Sequence, residues 1–311
     1  MLASTVRSVA GASRRSMSAL SSLLSAKADE LPARAAIVFD QGGEKKRWNL
    51  GELERHSSAT ANGFAEMGLV HGDVVTAWLG NSIESVVVQQ ACAKAGVVLH
   101  SVAPDASPEA VRAAAKDAKC FVFDPSLEAE PLRDQLRTVA QNNGSDVAGT
   151  YEQDAVGTKR YYAPSGWVSH AIASEKPTDA LGFETGAPAP HVVTVGWERI
   201  QGMHNLRHVY VYGPDPVFEH DTSAPDAAKL ATHFDATGAA GKTCTHKDAL
   251  AAGAAFTKAT KLSSTDVVSV PSAVEGVSAA VIAALQNSAT VVIGSADEAG
   301  VTVDGAAAQR L

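Results

Sequence analysis

The residues best suited to chemistry lie in one short stretch, Asp235-Ala236-Thr237-Gly238-Ala239-Ala240-Gly241-Lys242-Thr243. Small residues followed by Lys and Thr are what a phosphate loop needs. Glycines let backbone N–H groups converge on the anion, and lysine adds a fixed positive charge. In such a loop Gly238 and Gly241 are the close-approach positions, and Lys242 and Thr243 make the phosphate contacts. From Ala236 the stretch fits G-x-x-x-x-G-K-[ST] with Ala in place of the first Gly. Two features count against it. A working loop of this kind follows a hydrophobic strand, whereas Lys229–Asp235 is only partly apolar, and Asp235 brings a carboxylate that repels phosphate. The residues describe a degenerate loop.

Other chemistry-bearing residues have simpler explanations. His204 and His208 are spaced i, i+4, but no Glu lies between them and the run beyond His208 reads as a strand, so no zinc site is expected. The three cysteines, Cys92, Cys120 and Cys244, are odd in number and far apart, which excludes a disulfide scaffold. No Gly-x-Ser-x-Gly elbow occurs. Asp117 and Asp124 are expected to end secondary elements rather than form an acid–base pair. No catalytic residue, resident cofactor or metal is expected.

Helices and strands alternate from Ala35 onward. Asn49 with Glu52 forms a capping-box pattern ahead of a helix through Leu53, Ser57, Thr60, Phe64 and Met67, with Gly68 as its stop. Asn81 with Glu84 repeats the pattern before a helix ending near Gly96. Ser107-Pro108 opens a third helix, Pro falling where its missing N–H costs least. Strands are expected at Val74–Leu79, Val97–Val102, Cys120–Phe123, Val192–Val195, Val209–Tyr212, Val267–Val270 and Thr290–Ile293. Further helices are expected at Thr245–Thr260 and Val277–Leu285. Such alternation implies an α/β fold of right-handed βαβ units around a largely parallel sheet.

Several runs resemble the amino-terminal part of the acyl-CoA synthetase and AMP-forming ligase superfamily. They are Trp48-Asn49-Leu50-Gly51-Glu52-Leu53, Gly68-Leu69-Val70-His71-Gly72-Asp73-Val74-Val75, Leu79-Gly80-Asn81-Ser82, Ala93-Lys94-Ala95-Gly96-Val97-Val98 and Val102-Ala103-Pro104. Leu206-Arg207-His208-Val209 and Pro225-Asp226-Ala227-Ala228 resemble the approach to that family's phosphate loop. Thr245-His246, Asp266-Val267-Val268 and Pro271 resemble the segments on its carboxyl side. The resemblance implies that Asp235–Thr243 stands where the family holds ATP phosphates with a Ser-, Thr- and Gly-rich loop followed by Pro-Lys-Gly. Most of those hydroxyls and the Pro are absent here, and Val274 stands where the family has a His. The chain also ends before the family's adenine-binding segment and carboxy-terminal lid.

Composition sets the remaining limits. Of 311 residues, 45% are hydrophobic and 19% charged, which is globular, and the net charge of −8 gives no general attraction to nucleic acid. No apolar run is long enough to span a bilayer. Residues 1–28 carry Arg7, Arg14, Arg15 and Lys27, eight serines and no acid, the pattern of a mitochondrial transit peptide, with cleavage expected after Met17. Without this segment 22 basic residues oppose 34 acidic ones, a net charge of −12. The expected organisation is a ligase-like domain over 29–305, with lobes 29–124 and 226–305 joined by an irregular segment 125–225, and a loose tail at 306–311. Size, presequence and eroded scaffold together resemble an associated subunit of the dimeric mitochondrial ATP synthase of chlorophycean algae. The resemblance implies a non-catalytic partner of other subunits, on the matrix side and peripheral to the inner membrane. The alternative is a carboxylate-activating enzyme, or a nucleotide- or acyl-CoA-binding module, completed by a partner.

Overall fold

The computed structural model describes residues 19–41, 44–80, 82–124, 150–153, 159–162, 191–196, 204–213, 228–270, 278–294, 301–304 and 307–310. Expectations for residues 1–18, Asn81, Pro225–Ala227, Pro271 and Val274 lie outside the described residues, as does most of 125–225.

The first helix, α1 (Ala19–Glu30), leads into a hairpin of β1 (Ala35–Gln41) and β2 (Glu44–Asn49) that periodicity did not reveal. Helix α2 (Leu50–Glu66) starts on a full capping box. Asn49 Oδ1 accepts from Glu52 N at 2.7 Å, and Glu52 Oε2 accepts from Asn49 N at 2.9 Å. Then come β3 (Val74–Trp78), α3 (Ile83–Ala95), β4 (Val98–Val102), α4 (Pro108–Ala115) and β5 (Ala118–Phe123). The α3 cap is Ser82, one residue later than expected, its side chain accepting from Ser85 N. Gly96 ends α3 at a φ of 66°, the left-handed geometry glycine adopts without penalty.

Beyond a separate hairpin of β6 (Thr150–Gln153) and β7 (Lys159–Tyr162) come β8 (His191–Thr194), β9 (His204–Asn205) and a single helical turn, α5 (Leu206–Val209). The expected strand Val209–Tyr212 does not form. Instead the segment crosses α2, Val211 N donating to Ala59 O at 3.0 Å while Asn62 Nδ2 donates to Val211 O at 3.1 Å. The remaining elements are β10 (Lys229–Phe234), β11 (Cys244–Thr245), α6 (His246–Thr260), β12 (Val267–Val270), α7 (Ala279–Asn287), β13 (Thr290–Gly294), β14 (Val301–Asp304) and β15 (Ala307–Arg310). The end is no loose tail, because β15 pairs antiparallel with β14.

Two large sheets result, in the orders β15-β14-β12-β13-β1-β2 and β11-β10-β4-β3-β5-β8-β9, each parallel except at antiparallel edges. Both draw strands from the two ends of the chain: β13 pairs with β1, and β10 with β4. The segments 29–124 and 226–305 are therefore interleaved rather than separate lobes. Helices α2 and α3 lie between the sheets, giving Leu53, Val86 and Val87 to one core and Phe64, Val88 and Cys92 to the other. Helix α3 is accordingly buried almost all round, as a helix between two layers must be.

Helix α1 is built into this body. Leu20, Leu24 and Ala28 are buried, and Ser25 joins a buried ion pair in which Lys94 Nζ lies 2.7 Å from Glu54 Oε1 and 3.0 Å from Ser25 Oγ. The folded body thus begins by Ala19, ten residues before the boundary drawn at Asp29.

Candidate functional site

The loop Asp235–Thr243 leaves the carboxyl end of β10, the edge at which open α/β sheets receive ligands. Its geometry is set by Asp235. One carboxylate oxygen, Oδ1, accepts from Thr237 N at 2.9 Å, Ala239 N at 3.0 Å and Thr237 Oγ1 at 2.7 Å. The Asp235 backbone also engages the loop, its carbonyl taking Gly238 N at 3.0 Å and its N–H reaching Ala239 O at 3.1 Å. Gly241 N donates to His233 O at 2.7 Å. The N–H groups of Thr237, Gly238 and Ala239 are thus satisfied within the loop, and that of Gly241 by the end of β10. The Thr237 hydroxyl, followed by the Ala239 and Thr237 N–H groups, holds the Asp235 pKa below the usual value.

The four loop residues with phosphate-contact potential have separate fates. Gly238 has a φ of 84° and packs against α4, where a Cβ would meet Ala110 Cα at 2.8 Å. The fold itself requires glycine there. Thr243 spends its hydroxyl on Thr232, Oγ to Oγ 2.9 Å. Lys242 is exposed, and its charge reaches Cys244 and Asp248. The Asp248 carboxylate caps α6 by accepting from Thr245 N and Oγ1, and those two hydrogen bonds are the main causes lowering its pKa. Gly238 and Gly241 are brought together in one closed turn, whereas Lys242 and Thr243 turn toward β10 and α6.

His204 and His208 do not share a helix face, since the first lies in β9 and the second in α5. His204 instead neighbours His191, their rings 6.1 Å apart, and burial, then His191 and His208, lower its pKa. Among the described residues no His, Cys, Asp and Glu cluster could hold a metal ion. All three cysteines are free. Burial pushes the Cys92, Cys120 and Cys244 thiols upward, away from the nucleophilic thiolate. Asp117 and Asp124 come after α4 and β5 as element ends. One pair escaped sequence reasoning: Ser101 Oγ lies 3.1 Å from His233 Nδ1, joined by the β4–β10 pairing across 132 residues of sequence. With Ser101 buried, the contact braces the strands beneath the loop.

This layered, parallel-rich α/β architecture, with a glycine loop after β10, defines the amino-terminal part of the AMP-forming ligase fold. The chain belongs to the AMP-binding enzyme family, whose model matches residues 24–182, half of the chain. It is 26% identical over 215 residues to an acetyl-coenzyme A synthetase of Coprinopsis cinerea, an alignment covering 60% of this chain and 32% of that protein. It is 30% identical over 118 residues to a mitochondrial medium-chain acyl-CoA ligase of Mus musculus, covering 37% of this chain and 19% of that one. Among solved structures, a long-chain-fatty-acid-CoA ligase of Archaeoglobus fulgidus superposes with a TM-score of 0.60 at 16% identity, over 89% of this chain and 47% of that one. A fatty acyl-CoA synthetase of Mycobacterium tuberculosis gives 0.57 at 14%, over 89% and 44%. At such identities these likenesses establish the fold. The chain spans less than half the length of these relatives.

Proposed function

We propose that this protein is an acyl-CoA synthetase-like scaffold used for assembly rather than for carboxylate activation: a non-catalytic accessory subunit of a mitochondrial inner-membrane complex, the ATP synthase, supporting its peripheral stalk or dimer contact from the matrix side. The observation that carries the non-catalytic part is the Asp235 carboxylate filling the loop that would otherwise hold phosphate. A phosphate entering there would displace one anion and meet its repulsion. The mitochondrial location is supported by the acid-free, Arg- and Ser-rich start and by the similarity to a mitochondrial ligase of the mouse. No helix among the described residues is long and apolar enough to cross a membrane, which fits docking by surface contact.

The test has two arms. ATP–pyrophosphate exchange with a panel of carboxylic acids is expected to be absent, and saturating ATP to leave the melting temperature unchanged. On blue-native separation of mitochondrial membranes the chain is expected to migrate with the ATP synthase. Migration only as a free small protein would sink the subunit reading.

A second reading, carboxylate activation or nucleotide or acyl-CoA binding completed by a partner, is favoured by the family itself and by the ligase names of its relatives. It requires Asp235 to swing out, freeing the loop for phosphate contacts from Gly238, Gly241, Lys242 and Thr243. Exchange activity in the unaltered protein would establish this reading over the first.

A further inference from the structure

The end of β2, helix α2, the start of α3 and the segment from α5 to Tyr212 line a half-open cavity of about 320 Å³. That volume is at the lower end for small-molecule sites, roughly 300–1,000 Å³. Its walls are aromatic. Trp48 stacks on His56 with centroids 4.6 Å apart, Tyr210 lies 5.1 Å from the same imidazole, and Tyr212 meets Tyr210 nearly edge-on at 6.2 Å. Three separate segments supply these rings; Trp48 and Tyr210 also pack against the two cores, but Tyr212 remains 58% exposed, so core burial does not account for that ring.

Two charges line the wall, Arg207 and the carboxylate of Glu84 in the first turn of α3. Among the described residues no hydrogen bond or ion pair engages its carboxylate. It lies close enough to Tyr210 to add, after burial, to the rise of that phenol to about 12. Arg207 opposes Glu84 at that phenol, but it is exposed, whereas Glu84 is partly buried. One ring already attracts a cation: the Arg55 guanidinium sits 5.4 Å from the centroid of Tyr212. His56 adds a buried Nδ1 with no partner, and burial, then Arg55, favours its uncharged form.

We propose that this cavity binds a small organic cation, a methylated ammonium group of the choline type, between the faces of Trp48, Tyr210 and Tyr212 and against the Glu84 carboxylate. Aromatic faces attract such cations through their quadrupole, and the carboxylate supplies the counter-charge. A neutral ring would leave that carboxylate without use. The site is independent of the phosphate loop and of the assembly role.

The same headgroup occurs free and on phosphatidylcholine, so the test offers both. Calorimetric titration of the full chain with choline chloride, against sodium chloride at equal ionic strength, is paired with sedimentation on phosphatidylcholine and phosphatidylglycerol vesicles. Saturable binding of choline, or selective capture by phosphatidylcholine, is expected. Glu84→Gln and the exposed Tyr212→Ala are each expected to weaken it about tenfold, the loss of one strong cation contact. Circular dichroism confirms that both variants are folded. Binding to neither source, or equal binding by folded Glu84→Gln and Tyr212→Ala proteins, overturns the proposal.

Discussion

Single side chains decide how this protein answers to acid. His56 and His204 are both held with lowered pKa values, chiefly by burial. In the unfolded chain each imidazole takes a proton near the ordinary value of 6.5, whereas in the fold each resists protonation. The unfolded state therefore binds more protons, and stability falls as pH drops below about 6.5 toward the lowered folded values. Above that point their contribution is constant. Asp235 and Asp248 act in the same direction further into acid, because their carboxylates are stabilised when charged. Melting temperature is expected to be flat from pH 8 to 7 and to decline as the pH falls below about 6.5. A His56→Gln, His204→Gln variant should show a flatter profile over that range. The loop Asp was visible in the sequence as a charge hostile to phosphate. Its positive role, an Asx-type turn closed on Thr237 and Ala239, comes from a local Asp-x-Thr signal that a reading centred on phosphate passed over.

At the scale of elements, local chemistry was legible and pairing was not. The caps at Asn49 and Ser107 hold because donors and acceptors lie three residues apart, so no tertiary context intervenes. The apolar run Val209–Tyr212 has the composition of a strand, but the sheet edge beside it is taken by β9. The run instead crosses α2 over Gly63, where an added Cβ would run into the Val209 carbonyl. Nothing in periodicity marks Gly63, since its role is visible only once a distant backbone lies on top of it. Gly63→Ala is expected to destabilise the protein by about 2–3 kcal/mol through this overpacking, although alanine normally favours a helix interior. Urea denaturation checks the sign; a gain in stability would mean that the crossing segment does not rest on α2. The same substitution should weaken choline binding, because Tyr210 and Tyr212 hang from that crossing.

The whole molecule turns on where the folded body begins. Composition marks residues 1–28 as one acid-free segment, yet its Ala19–Ala28 part is packed into the body as helix α1. The family match itself begins at Leu24, inside that segment. Basic character and amphipathicity serve a targeting peptide and a docking helix alike, so the sequence could not separate them. The interleaving of both chain ends in two sheets was equally hidden, because a hydrophobic run does not name its partner strand. Cleavage after Met17 leaves α1 whole, whereas a start at Asp29 removes Leu20, Leu24 and Ala28 from the cores and Ser25 from the buried Lys94–Glu54 pair. Each lost leucine is worth roughly 2–5 kcal/mol at a packed site. The polar loss adds to this, since Lys94 and Glu54 keep their buried charges with one partner fewer. A chain beginning at Ser18 is therefore expected to match the full-length protein in urea denaturation. One beginning at Asp29 should lose at least about 4 kcal/mol or fail to fold. Equal stability of the two would show that α1 is a dispensable part of the presequence and that the body starts after it.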